Sequence, residues 1–213
     1  MKRIVIVGGV AGGMSAATRL RRLDPEASIT VLERSGFVSY ANCGLPYYLG
    51  GVIADQEALL LQTPESLDSR FALDVRVNSE VTHIDRDLQE VEVRSQDGSY
   101  RLKYDTLILS PGAQPIVPPI PGIERAYTLR TVEDVNRISD AVMAQPASAV
   151  VIGGGFIGIE SAENLAHRAI PTAIVEAVNQ VMAPLDPELA SLVHEEILAN
   201  QVQLFLGAAV ERI

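Results

Sequence analysis

The sequence predicts an α/β protein made of two strand–turn–helix–strand units in tandem, with a β-meander inserted between them and the second unit truncated. Three observations predict it. The segment IVIVGGVAGGMSAATRL, from Ile4, is echoed by AVVIGGGFIGIESAENL, from Ala149. Each copy then reaches a second β-branched run ending in an acid: SITVLER gives Glu33 and PTAIVEA gives Glu176. Between the copies, apolar and polar residues alternate with the period of strands. Gly8 and Gly153 occupy the same step, and 153 − 8 = 145 residues is too long for a solenoid repeat and suits two domains of one architecture.

The elements follow in order. Ile4–Val7 is a short buried strand entering the cluster Gly8-Gly9-Val10-Ala11-Gly12-Gly13, and the alanine-rich stretch behind it is a helix. Residues 55–70 are partly helical, with Pro64 opening a new turn. Residues 74–110 form a meander with a turn at Asp97-Gly98, returning to a buried strand over Thr106 to Ser110. PIVPPIPG, residues 115–122, holds four prolines and reads as a stiff extended connector. A helix near Val132 to Ala144 leads into the second unit, and Asp186-Pro187-Glu188 opens another. The expected domains are 1–112, a connector with its helix over 113–147, and 148–213.

Composition removes several classes of function. A net charge of −10 and a pI near 4.8 repel nucleic-acid backbones and anionic lipid surfaces. No stretch reaches the roughly 18 apolar residues of a spanning helix, and the four-residue run after Met1-Lys2-Arg3 is too short for a signal peptide. One cysteine permits no internal disulfide, which fits a reducing, cytoplasmic setting. His83, His167 and His194 fall in separate elements without metal-ligand spacing, so no metal is expected. No serine sits in a nucleophile elbow.

Strand, glycine turn, helix, strand, acid is the pattern of a Rossmann-like dinucleotide-binding βαβ unit. The first glycine (Gly8, Gly153) allows the tight turn. The helix N-terminus offers free N–H groups and a positive dipole end to a pyrophosphate. The last glycine (Gly13, Gly158) lets helix and strand approach, and the acid accepts hydrogen bonds from ribose hydroxyls. One such pattern is weak evidence; two complete frames make a ligand-free origin a poor explanation. The second is full, with Gly153, Gly155 and Gly158, whereas Val10 replaces the middle glycine of the first. Glu176 favours a free 2′-hydroxyl over a 2′-phosphate, and Ala177 and Val178 supply no arginine. NADH is therefore expected over NADPH.

The lone cysteine lies in SYANCGLPYYLGG, residues 39–51. By base rate a free cysteine is a buried, inert thiol. Here Asn42 precedes it and Leu45-Pro46-Tyr47 follow, which suits a helix start, where the dipole favours an anion.

Two dinucleotide units with a cysteine some 30 residues past the first glycine turn resemble the pyridine nucleotide-disulfide oxidoreductases. SYANCGLPYYLGG is most similar to the coenzyme A-disulfide reductase and persulfide reductase branch. YDTLILSPGA, GGGFIGIESAE and VMAPLDPELA are similar to that family's domain handover, NAD turn and following segment. The resemblance implies FAD on the first unit, near Gly8, Val10, Ala11, Gly12, Gly13, Glu33, Arg34, Asn42, Val81, Ser110 and Gly112. It implies NADH at Gly153, Gly155, Ile157, Gly158 and Glu176, with Phe156 as an aromatic gate over the flavin and Glu160 reaching toward its ring. Coenzyme A would meet Ser15, Arg19, Arg22, Ser39 and Asn42. On the residues alone, Arg19 and Arg22 read as solvated, and Phe156 as an early helix residue facing the sheet.

The implied chemistry passes hydride from NADH to flavin and electrons on to Cys43, which exchanges with a coenzyme A disulfide or persulfide. Relatives of the glutathione reductase kind use two cysteines four residues apart; Gly44 to Tyr48 contain none. NADH oxidases and peroxidases, which cycle a cysteine sulfenic acid, are the alternative, but carry histidine where Ala11 stands. The family's return segment contains Gly-Asp, a dipeptide this sequence lacks, and its members continue into a dimerisation domain and act as homodimers. The expectation is thus roughly the first half of such a member, either an FAD- and NADH-dependent reductase by descent or a non-catalytic nucleotide-binding fragment.

Overall fold

In the computed structural model, which describes residues Met1–Ile213, the first half is organised around β1 (Arg3–Val7). The helix α1 (Ala11–Leu23) follows the glycine cluster, and β2 (Ser28–Leu32) returns parallel to β1 with Ile4 beside Ile29 and Ile6 beside Val31. Next come a 3₁₀ turn over Asn42–Gly44, the short helix α2 (Leu45–Gly50) and α3 (Pro64–Phe71). The strands β3 (Asp74–Arg76), β4 (Glu80–Asp85), β5 (Glu90–Ser95), β6 (Gly98–Lys103) and β7 (Thr106–Leu109) complete this half. The second half comprises α4 (Val132–Met143), β8 (Ala149–Ile152), α5 (Phe156–His167), β9 (Thr172–Val175), α6 (Pro187–Ala199) and β10 (Gln203–Phe205).

Packing divides the chain into two units, Met1–Ala41 with Leu59–Ala113, and Asn42–Ala58 with Gln114–Ile213. The first holds a parallel sheet of order β3-β2-β1-β7, the second one of order β10-β9-β8. Third-second-first is the strand order of a Rossmann half. The expected α/β architecture is therefore present twice.

Alternation along β1 decides the first unit's layers. Ile4 and Ile6 pack with Met14 and Ala17 of α1, and with Leu67 and Leu73. Val5 points the other way and packs with Leu32, Val91, Val93 and Tyr104, under the antiparallel meander β4-β5-β6. Each such buried side chain contributes about 1.5–3 kcal/mol. Arg21, near the end of α1, turns back and donates to the carbonyls of Asp24, Pro25, Ala27, Phe71 and Ala72. In the second unit, Ala162 and Ile197 from α5 and α6 pack with Ile174, Val181 and Val202. The 145-residue offset sets Val150 on Val5, yet Val5 is 2% exposed and Val150 is 61% exposed.

Two expectations need correcting. The residues 74–76 do not begin the meander; β3 extends the parallel sheet beside β2. The strand at Thr106 is not buried: as the outermost strand of its sheet, β7 has one neighbour, and Leu109 is 58% exposed. Asn42–Ala58 groups with the second unit, where α2 packs on α4 and α5.

Candidate functional site

In the first unit the glycine cluster is shaped by backbone crowding. Gly8 has φ +104°, and a Cβ there would lie 2.0 Å from the Ser110 carbonyl oxygen. A Cβ on Gly13 would lie 1.8 Å from the Gly8 carbonyl oxygen, so helix and strand approach as closely as backbone allows. Val10 occupies the N-cap of α1 at a negative φ of −103°, so this position does not call for the left-handed conformation that glycine favours. Gly12 is crowded by a side chain: a Cβ there would lie 2.5 Å from the Ser110 hydroxyl oxygen.

The end of α1 lacks both a side-chain cap and an acid in its first turn. By contrast, α3 and α4 carry capping boxes from Thr63 and Thr131, with Glu65 or Glu133 behind them. Ala11 and Gly12 are exposed, so their N–H groups face outward at the positive end of a helix. Glu33, buried at the end of β2, accepts hydrogen bonds from the Gly9 N–H at 2.7 Å and the Ser35 N–H at 2.9 Å. It braces the turn with two of about four acceptor positions. Arg34 beside it is exposed. Ser39 has φ +46° and donates its N–H to the Gly9 carbonyl.

Ser110 and Gly112 (φ +69°) follow β7 at the same edge of the sheet. Val81 packs into the meander's apolar cluster beside an irregularity in β4. Ser15, Arg19 and Arg22 are exposed and spaced four and three apart, which sets them along one face of α1. Arg19 and Arg22 are exposed, unlike the structurally engaged Arg21. Sequence reasoning named Arg19 and Arg22 but missed the role of Arg21, whose acceptors lie up to 51 residues away.

The second unit repeats the construction. Gly153 has φ +102°, a Cβ on Gly158 would lie 2.1 Å from the Gly153 carbonyl oxygen, and Gly155 faces open space. The N-terminus of α5, capped by Gly155, again lacks a side-chain cap and an acid. Glu176 accepts from the Gly154 N–H at 2.6 Å and the Val178 N–H at 3.0 Å. Phe156, the first residue of α5, is 59% exposed and Ile157 is exposed as well, which corrects the reading of Phe156 as facing the sheet. Glu160 is half-buried one turn on.

A contribution invisible in the sequence comes from His194. Its Nε2 accepts from the Val181 N–H at 3.1 Å. Val181 packs against Gly154, and the Met182 N–H donates to the Gly154 carbonyl at 2.8 Å. The loop after Glu176 is thus pinned to the glycine turn from α6.

Cys43 is exposed, in the 3₁₀ turn Asn42–Gly44 immediately ahead of α2. Pro46 sits in the first turn of that helix, where its missing N–H costs nothing. Asn42 is half-buried beside the cysteine. No cluster of His, Cys, Asp and Glu could hold a metal ion, and no helix is long and apolar enough to cross a membrane.

These features are two glycine turns that each open a helix without a side-chain cap, and one exposed thiol. A family model for pyridine nucleotide-disulphide oxidoreductases matches residues 2–213. The chain belongs to that family. It is 33% identical over 218 residues to the coenzyme A disulfide reductase of Staphylococcus aureus, covering 100% of this chain and 49% of the relative. The reduced CoADR-RHD of Bacillus anthracis superposes with a TM-score of 0.97 at 49% identity, covering 99% of this chain and 39% of that one. The NAD-dependent persulfide reductase of A. fulgidus gives 0.95 at 36% identity, covering 99% and 40%. The chain therefore spans about half the length of the curated relative it matches.

Proposed function

We propose that this chain is the FAD- and NADH-binding portion of a reductase for coenzyme A disulfide or a related low-molecular-weight disulfide or persulfide, with Cys43 as its single redox sulfur. The observation that carries the reading is the exposed Cys43, alone in a chain with two uncapped glycine-turn helices. Residues 1–112 would hold FAD, 148–213 NADH, and 113–147 would connect them.

The residues present fit both nucleotides. The crowding at Gly8 and Gly13, and at Gly158, leaves backbone where a side chain would otherwise stand. Ala11, Gly12 and the start of α5 offer unpaired N–H groups to a pyrophosphate. Glu33 and Glu176 keep acceptor positions for ribose hydroxyls, and Glu176 disfavours a 2′-phosphate. When bound, the two cofactors supply hydride transfer and two-electron storage that side chains cannot.

The chain's own contribution is sulfur exchange. The Cys43 thiolate attacks one sulfur of the disulfide, forming a mixed disulfide and expelling one thiolate. With no second cysteine in the chain, a neighbouring thiol cannot resolve that bond. Releasing the second thiolate takes two electrons from outside the cysteine. Ser15, Arg19, Arg22, Ser39 and Asn42 would bind the anionic part of the substrate.

Absorbance of the purified protein tests the reading first. A flavin spectrum bleached by NADH and restored faster by coenzyme A disulfide than by peroxide supports it. Faster recovery with peroxide overturns it in favour of sulfenic-acid chemistry, and failure to retain any flavin leaves a non-catalytic nucleotide-binding fragment.

A further inference from the structure

Within the second unit, the helix behind the cysteine is seated on the far end of the helix that begins at the glycine turn. Arg168, the C-cap of α5, donates from Nε to the carbonyl of Leu49 at 2.6 Å, across 119 residues of sequence. Its guanidinium also lies over Gly51: a Cβ there would be 3.0 Å from Nη2. One turn earlier on α5, Asn164 is 2% exposed and its amide Nδ2 donates to the Glu160 carbonyl at 2.8 Å. Against it lies Gly50, where a Cβ would be 2.0 Å from Asn164 Oδ1.

We infer that Arg168 and Asn164 are positioning residues for Cys43, holding the cysteine's helix on the helix that starts at the Gly153–Gly158 turn. A helix of six residues is far below the ~12–15 needed to persist alone, so α2 depends on its seat. Its last carbonyls have no partner within the helix. Arg168 satisfies one of them and sets a positive charge at the negative end of the dipole. Asn164, four residues before Arg168, faces the same way and fixes the distance of approach, which only glycine at position 50 permits. The spacing along α5, about 18 Å over 12 residues at ~1.5 Å each, joins the glycine turn at one end to the cysteine's support at the other. This inference rests on the proposed function for the meaning of Cys43, though not for the seat itself.

Because Cys43 is the only thiol, its reaction with 5,5′-dithiobis(2-nitrobenzoate) reads that position alone. Arg168→Leu should speed amide exchange at Gly51 and Ile53, which donate to Tyr48 and Tyr47, at least tenfold, and shift the thiol's rate constant at least threefold. Arg168→Lys, which can still reach a carbonyl, should recover most of both. Gly50→Ala should reproduce the Leu variant from the other side of the contact, and decides the matter if Arg168→Leu does not fold. Ile197→Val, a mild core change in the same unit, should move neither. Unchanged exchange in both lesions overturns the seat. Faster exchange with an unchanged thiol rate, or a thiol shift that Lys does not recover, overturns its role in positioning Cys43. If the variants show these effects yet wild type gives no turnover with coenzyme A disulfide, the proposed substrate fails and the positioning role stands.

Discussion

The Glu176 carboxylate accepts a 2.6 Å hydrogen bond from the Gly154 N–H. Glu33 does the same to Gly9 in the first unit, so each acid is also the brace of its own glycine turn. This dual use bears on cofactor choice. Replacing Glu176 with Ala and Ala177 with Arg should raise the preference for NADPH over NADH at least tenfold, about 1.4 kcal/mol. Fluorescence titration with each nucleotide checks it. The same change should weaken binding of both, because the Gly154 N–H loses its acceptor, a loss of about 1–3 kcal/mol where that group stays buried.

The turns can be broken in two distinguishable ways. Gly13→Ala and Gly158→Ala drive a methyl into backbone oxygens and should lower thermal stability by about 1–3 kcal/mol or more. Gly155→Ala meets nothing within 4 Å. It should leave stability within about 0.5 kcal/mol while weakening NADH binding, since the open space is what the pyrophosphate would enter. Thermal unfolding and nucleotide titration, run side by side, separate the cases.

Acid sensitivity has a local source at Asp105. The Arg3 side chain and backbone N–H bind its carboxylate and hold its pKa at about 2. A carboxyl depressed on folding stabilises the protein above its unfolded value near ~3.9, and that contribution is lost as pH falls toward the folded value. Asp105→Asn should therefore flatten the stability profile of the first unit between about pH 4 and pH 2. Urea unfolding across that range measures it; an unaltered profile would exclude the pair as a source.

Equivalent positions of the repeat should differ in tolerance. Val5→Thr places a hydroxyl under the meander, where Val91 and Val93 offer no partner, and should cost about 1–3 kcal/mol. Val150→Thr, on the exposed side of β8, should fall within about 0.5 kcal/mol of wild type. Denaturant midpoints at constant slope provide the comparison.

Much of this organisation was legible in the residues, for reasons that the same positions explain. The glycine turns were readable because the glycine spacing is itself local, as the clash of a Gly13 Cβ with the Gly8 carbonyl shows, although the Ser110 carbonyl that crowds Gly8 lies 102 residues on. Glu33 and Glu176 were readable as strand-end acids, although their bonds to Gly9 and Gly154 were not. What escaped depends on partners distant in sequence. β3 looks like the first strand of a meander until its pairing with β2 is known. His194 looks unattached until Val181 is brought to it. The support of α2 by Arg168 joins residues 119 apart, and no periodicity reports it.

Arg21 carries a consequence for the order of events in folding. Its guanidinium needs the carbonyls of residues 24 to 27 and of residues 71 and 72 in place together. Those segments meet only when β2, α3 and the end of α1 are in place, so these bonds are expected to form late in assembly. Stabilisation acquired that late acts on the escape from the native state. Arg21 is thus expected to act as a kinetic latch: Arg21→Lys, with its single ammonium, should leave the rate of folding nearly unchanged and hasten unfolding, as stopped-flow rates on both limbs would measure.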